Sequence, residues 1–433
     1  MHIKPWRPAE RVSRSVGFWL LAVTLLAFFA AASAFSPLLV VYQHRWGFTP
    51  TMLTTIFAVY ALGLLVALLT VGGLSDYVGR RPVLAGALIV EAASMAMFLT
   101  ADGVGLLLVA RILQGLGIGA AIGCIGAGLL DLQPSPTSRL GSLLNSAAPA
   151  AGLGLGALGS GVLVQYAPAP TMLVFALLIA VFLLLAAAVF FLPEPVTPRP
   201  GAWASLLPRM AVPSQARRAF LAIMPCLVAT WAITGFYLSL VPSLAVGVLR
   251  IGSHLLGALA LSTFYSAGAV ASLLSRNLAS NRVMAVGCVA LAAGTGLTLL
   301  ALVGPSTPLF FLGTALAGAG WGSSLLGSFG ALAALAGPTE RAKLFASVYV
   351  VSYVAFGVPA VAAGLVIPSL GLRATTMWYG AAVIALALLS VLIAAVRRRT
   401  ARTTAAAFSE ALVADGPSCT GRPRPRHDHH HYQ

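Results

Sequence analysis

Residues 72–84 read GGLSDYVGRRPVL: three glycines, one acid and two arginines between two apolar stretches, 51–71 and 82–100. Each stretch is long enough to cross a bilayer, which takes about 20 mostly apolar residues. So short and polar a link between two such stretches is a hinge between spans, and the rest of the chain has the same build. It is 59% hydrophobic and only 8% charged over 433 residues, more apolar surface than a soluble domain can hide, so its solvent is lipid. Span-length apolar windows occur twelve times, at 16–41, 51–71, 82–100, 105–130, 141–165, 170–192, 219–248, 254–275, 283–303, 307–335, 344–367 and 374–396. They are continuous and lack the alternating ten-residue pattern of a membrane barrel, which predicts an all-α integral membrane protein.

A net charge of +16 raises the question of nucleic acid, and the placement of the charges answers it. With the N-terminus inside, all but four of the 26 Lys and Arg fall on the cytoplasmic side. Arg45, Arg250 and Arg373 lie outside and Arg111 lies within a span. This asymmetry is the positive-inside rule and predicts that both termini are cytoplasmic. The basic residues therefore signal topology, with contact to anionic headgroups as a secondary role and no nucleic-acid partner. Ala32-Ser33-Ala34 follows an apolar run as a signal-peptidase site would, but the run continues past it, so the first span is read as retained. The four cysteines, Cys124, Cys226, Cys288 and Cys419, have no metal or redox spacing.

The only long connection, 193–218, holds six prolines and four arginines and divides the spans six and six. The expected organisation is a cytoplasmic segment 1–15, a first six-helix bundle 16–192, a cytoplasmic loop 193–218, a second bundle 219–396 and a disordered tail 397–433. The tail's closing run of histidines is read as a solvated biased segment rather than a metal site. The halves look like diverged repeats. Leu74-Ser75-Asp76 aligns with Leu274-Ser275-Arg276, and Gly115, Gly117 and Gly119 with Gly318, Gly320 and Gly322, which puts Thr314 where the first half has Arg111.

The hinge resembles the loop between the second and third helices of the major facilitator superfamily. Gly72, Leu74, Asp76, Gly79, Arg80, Arg81 and Leu84 match its pattern, and Tyr77 departs from it, since a basic residue is usual there. Arg111-Ile112-Leu113-Gln114-Gly115-Leu116-Gly117 resembles the family's fourth-helix pattern. The eleventh span, with Tyr349-Val350-Val351-Ser352-Tyr353, resembles actinobacterial members. The resemblance implies two pseudo-symmetric six-helix bundles that rock about a shared site. It also implies a cytoplasmic latch in which Asp76 meets the start of the eleventh helix, near 343–345, and Arg80 or Arg81 meets Asp131, with Arg139 a rival partner for that acid. An acid facing a helix N-terminus is favoured by the helix dipole.

An arginine within a span costs about 3 kcal/mol on insertion scales, so Arg111 is expected to face protein or a wet cavity. Glu91 is the only acid near the middle of a span. At ~1.5 Å per residue it lies about 13 Å below the outer end of its helix and Arg111 about 9 Å below its own, so the two are expected to pair. Arg111, Gln114, Gly115 and Glu91 are thus the coupling candidates, with Glu91 as proton carrier. The fifth span carries closely spaced glycines after Pro149 but lacks the Gly-Pro pair that the family's antiporters have. The substrate site is expected near the midplane between the halves, from Phe35, Trp231, Phe236, Tyr237, Tyr265, Trp321, Tyr349 and Tyr353. No acid lies in the first span or in any span of the second half, so a neutral, amphipathic or anionic organic molecule fits better than a cation.

These readings converge on a transporter of a bacterial inner membrane that acts as a monomer without cofactor or metal. Proton-coupled efflux of a small organic molecule comes first, and proton-linked or passive uptake second. A membrane enzyme is disfavoured, because no nucleophile–base pair, metal cluster or phosphate loop is visible. A non-transporting sensor is disfavoured because it usually carries a large soluble domain.

Overall fold

The computed structural model describes residues 12–135, 138, 140–194, 196–207, 210–247, 253–335 and 337–414. Among them every regular element is a helix. The long helices are α1 (Arg14–Trp46), α2 (Pro50–Thr70), α3 (Arg80–Leu99), α4 (Val104–Leu132), α5 (Leu140–Tyr166), α6 (Pro170–Val189), α7 (Ser214–Ser239), α8 (His254–Ser275), α9 (Ser280–Val303) and α10 (Thr307–Ala333). A continuous stretch, Pro338–Ala414, then contains one residue with non-helical backbone, Gly371 at φ 80° and ψ 158°. Glycine adopts that conformation without a Cβ penalty, and it divides the stretch into α11 (338–370) and α12 (372–414). Tyr353 on α11 packs on Trp231, while Tyr379 on α12 packs on Phe236, one turn further along the same helix α7. The chain therefore doubles back at Gly371, and the described residues hold twelve long helices.

Local chemistry sets many of the ends. Ser13, Thr49 and Ser306 each cap a helix N-terminus by accepting a hydrogen bond from the backbone N–H three residues on. Pro50 and Pro170 open α2 and α6, where a missing N–H costs nothing. Gly47, at φ 63°, closes α1 by donating its N–H to the Gln43 carbonyl. Two expected boundaries shift. The seventh span begins at Ser214 and breaks at Leu240 before a short helix, Val241–Gly247. The backbone is helical through Ala414, where the sequence suggested disorder from 397 onward. The described residues fall into two compact units, 12–391 and 392–414.

Within the first half, α1 packs on α5, α2 on α4, and α3 on both α4 and α6. In the second, α10 packs on α9 and α8. The described side-chain hydrogen bonds between the halves lie at the end remote from the 72–84 hinge. There Ser253 donates to Gln165 (3.3 Å), joining α8 to α5, and Thr51 donates to the Gly364 carbonyl (2.9 Å), joining α2 to α11. On the same seam Gly161 faces Ala258 and Gly154 faces Ser266. The two bundles are thus closed against each other at that far end.

Candidate functional site

At the hinge end, Ser75–Val78 form a single helical turn, and Gly79 at φ 102° redirects the chain into α3. The N-terminus of α3 has unpaired N–H groups, and a carboxylate from just beyond α6 fills them. Glu194 Oε1 accepts from the Arg80 N–H (3.0 Å) and Oε2 from the Arg81 N–H (2.8 Å), a capping acid in the favourable field of the helix dipole. A Cβ at position 79 would lie 3.0 Å from that carboxylate. Asp131, at the end of α4, pairs with Arg80 (Nη2–Oδ2, 2.6 Å), and its backbone carbonyl accepts from Arg14 (2.7 Å). Arg80 also donates to the Cys124 carbonyl (3.3 Å). Of the two arginines left open by the sequence, Arg80 is the partner of Asp131.

The other arm of the expected latch is not made. Asp76 is exposed, and among the described residues its side chain forms no hydrogen bond or ion pair, to α11 or elsewhere. Gly72 precedes the turn, and Leu74 packs against the core. Arg139, the rival partner for Asp131, lies outside the described residues, as does the histidine-rich end of the tail.

The hinge geometry yields one stability prediction. Glu194→Ala removes a carboxylate that accepts from two N–H groups of α3 and from the Val196 N–H, at a cost of about 0.5–2 kcal/mol for the lost cap. Asp131→Asn weakens a pair whose acid is 40% exposed, worth about 1 kcal/mol or less. Thermal unfolding in detergent should therefore fall further for Glu194→Ala than for Asp131→Asn, and the reverse order would refute the cap.

Inside the first half lies a line of buried polar groups. Gln114 Nε2 donates to Glu91 Oε1 (3.3 Å), and Arg111 Nη1 donates to Gln114 Oε1 (2.5 Å) and toward the Ala32 carbonyl (3.4 Å). All three side chains are buried. The expected direct Glu91–Arg111 pair is replaced by a relay, because Gln114, three residues after Arg111, shares its helix face and reaches α3 first. The guanidinium carbon sits 4.0 Å from the ring centre of Phe35, 4.8 Å from Phe57, 5.3 Å from Tyr60 and 5.9 Å from Phe98. Cation–π contacts free of water are worth about 2 kcal/mol or more, which offsets the cost of burying the charge. Glu91 Oε2, Arg111 Nε and Arg111 Nη2 have no hydrogen-bond partner. Gly117 leaves room for the acid, since a Cβ there would lie 2.8 Å from Glu91 Oε2.

The aromatic candidates separate into two groups. Phe35 belongs to the Arg111 box, not to an opening between the halves. At the repeat-equivalent place Tyr237 donates to Thr314 (3.2 Å) and stacks on Phe264 at 4.0 Å, so it too sits in the core of its own half. Phe236 packs on Tyr379 of α12. Of the other five, Tyr265 and Tyr353 reach toward the first half, and Trp231, Tyr349 and Trp321 pack on them. Trp231 lies 4.9 Å from Tyr353, Tyr353 6.4 Å from Tyr349, and Tyr265 5.3 Å from Trp321. Tyr60, from the opposite half, is within electrostatic reach of both Tyr265 and Tyr353. Tyr265 Oη, Trp231 Nε1 and Ser352 Oγ are buried without a partner.

A model of the Major Facilitator Superfamily matches residues 20–297. The chain belongs to that superfamily. A solved structure of a mutant of the nucleoside transporter NupG aligns with a TM-score of 0.67 at 13% identity, covering 87% of this chain and 99% of that one. At that identity the likeness shows the fold. A comparison with curated proteins found no match.

Membership in the superfamily makes the chain a multi-pass secondary transporter rather than an enzyme, with lipid around it and a small molecule as cargo. It also shows what the sequence reading missed. Glu194 carries no local pattern and becomes a cap only when α6 ends beside α3. Tyr60 is a lone tyrosine in an apolar span, and its position ten residues into α2 was the one signal that it reaches the depth of Tyr265.

Proposed function

We propose that this transporter exports an uncharged or amphipathic organic molecule from the bacterial cytoplasm in exchange for protons, as a monomer working by alternating access. The hinge end is then cytoplasmic, as the charge asymmetry favours, and the far-end seam closes the outer face. The observation that carries proton coupling is the Glu91–Gln114–Arg111 line. It holds a buried carboxyl with one oxygen free, joined to a cation by a single neutral side chain. Such a group can take up a proton when the cation moves away and release it when the cation returns, and intramembrane ionisable residues are functional by default. On this reading the line couples to the cargo through Tyr60, which lies on the Arg111 box and within electrostatic range of Tyr265 and Tyr353 of the other half. The substrate is assigned to the seam of Tyr60, Trp231, Tyr265, Trp321, Tyr349 and Tyr353. These side chains offer ring faces and neutral hydrogen-bonding groups, without an acid to hold a cation.

The test is flux in proteoliposomes containing a pH dye, with a panel of neutral aromatic and amphipathic compounds. The expected result is substrate movement opposite to the imposed proton gradient, with a matching change in internal pH. Because one structural neighbour transports nucleosides, uridine belongs in the panel. Uridine uptake running with the protons would replace export by symport.

A further inference from the structure

The connection between α6 and α7 is tied down at both ends. On one side the Arg199 N–H donates to the Tyr77 carbonyl in the hinge (2.8 Å), and Gly201, at φ 105°, lies over the Tyr77 ring. On the other, the Ala211 N–H reaches the Lys343 carbonyl in the first turns of α11 (3.4 Å). The connection is thus a strap from the hinge of the first half to α11 of the second, the same two elements that the unformed Asp76 contact would join. Between the ties is one helical turn, Ala202–Ser205, and three of the four large apolar side chains of this stretch are exposed, Leu206 being half-buried. Trp203 is 86% exposed, Leu207 67% and Met210 51%. Trp203 is the most exposed large apolar residue among those described. Others of high exposure, such as Leu184 and Trp378, lie on spans where lipid covers them, whereas Trp203 lies beyond the ends of the spans.

The strap joins the ends of two apolar helices, α6 ending at Val189 and α7 beginning at Ser214, so it starts and finishes at one end of the bundles. Around it Arg199, Arg217, Arg218 and Lys343 are all exposed. Of the nearby acids, Glu194 caps α3 and Glu340 accepts from Gln215 (3.2 Å), while Asp76 beside Tyr77 is the one whose carboxylate has no partner among the described residues, against four exposed cations. A tryptophan flanked by aliphatic side chains and exposed cations is the pattern of a membrane-interface anchor.

We propose that the strap docks on the leaflet at the hinge end, with Trp203, Leu207 and Met210 inserted at headgroup depth and Arg199, Arg217 and Arg218 on the phosphates of anionic phospholipid. The lipid surface then holds the strap that connects the hinge to α11.

The full chain in bilayer nanodiscs tests this. Tryptophan emission is compared between the parent and Trp203→Phe, so that the difference isolates Trp203. Phosphatidylcholine brominated near the headgroup should quench that difference more than the same lipid brominated deep in its chains, and aqueous iodide should quench it little. Brominated phosphatidylglycerol should quench more strongly than brominated phosphatidylcholine, by about fivefold in relative affinity for each cation engaged. A combined Arg199→Gln, Arg217→Gln and Arg218→Gln protein should remove that preference. Strong iodide quenching with no bromine effect would place the strap in water and end the proposal. Quenching that followed protein concentration rather than lipid would assign the patch to a second copy and also overturn it. Equal quenching by the two headgroups would refute the phosphate contacts.

Discussion

Glu91→Gln should leave the protein folded and able to exchange substrate, yet unable to move it uphill. The amide has nearly the shape of the acid and keeps an oxygen to accept from Gln114 Nε2, so the bond between α3 and α4 survives. It cannot take up or give up a proton. If Glu91 is the carrier, substrate flux driven by a pH gradient should fall to the level of empty liposomes, and the dye signal should vanish with it. Counterflow, which needs only the rocking of the halves about the site, should persist within about twofold, because uncoupling removes the driving force and not the conformational change. Asp102→Asn is the control, since Asp102 is exposed at the far end and outside the relay. A Glu91→Gln protein that still alkalinised or acidified the lumen with substrate would move the carrier elsewhere, and Glu91 would become a structural partner of Gln114. Arg111→Gln complements the test. It keeps a donor for Gln114 but removes the cation beside four aromatic rings, so it should alter the pH dependence of transport rather than abolish proton movement.

The parts of the fold that were readable were those written in local composition. Span number and the hinge follow from hydropathy and glycine placement. The family resemblance narrowed the partner of Asp131 to Arg80 or Arg81, with Arg139 as a rival, and only rotation about the axis of α3 decides for Arg80. Facing was not legible. In a soluble helix an apolar stripe marks the buried side, but here lipid and protein interior are both apolar, so the periodic signal disappears. Phe35 was therefore read as lining the opening between the halves when it lies on Arg111, and Tyr60 was passed over. The Gln114 bridge was hidden for a different reason. Depth along a helix can be counted from its ends, and it places Glu91 and Arg111 within reach of each other. Which side chain arrives first depends on rotation about the helix axis, which depth does not fix. Glu194 was missed because its partners are backbone groups more than a hundred residues earlier.

Gly115→Val should prevent the protein from reaching its folded state. Gly115 was a coupling candidate on the strength of its place beside Arg111 and Gln114, but the geometry gives it a packing task. A Cβ there would enter the backbone of α2, falling on the Tyr60 carbonyl, 2.7 Å from the Leu64 nitrogen and 3.2 Å from the Gly63 carbonyl carbon. The contact is reciprocal, since a Cβ on Gly63 would lie 2.6 Å from the Ile112 carbonyl oxygen. The two helices touch through their backbones at this crossing. In lipid no hydrophobic force presses helices together, and close van der Waals approach of small residues replaces it. Backbone atoms cannot rotate aside as a side chain can, so any added carbon must separate α2 from α4. Overpacking of this kind costs about 1–3 kcal/mol for the smallest additions and more for larger ones. The shift would also pull Tyr60 off the guanidinium of Arg111 and disturb the Thr51–Gly364 bond at the far end of α2. Gly115→Ala should give a lower yield and a lower melting temperature, and Gly115→Val no monodisperse protein on size exclusion in detergent. Gly159→Ala supplies the contrast, because nothing lies within 4 Å of a Cβ at that position. Alanine is favoured over glycine in a helix by up to about 1 kcal/mol, so this variant should match or exceed the parent. Normal yield and melting for Gly115→Val would mean that α2 and α4 stand further apart, and the aromatic box around Arg111 would lose its Tyr60 wall.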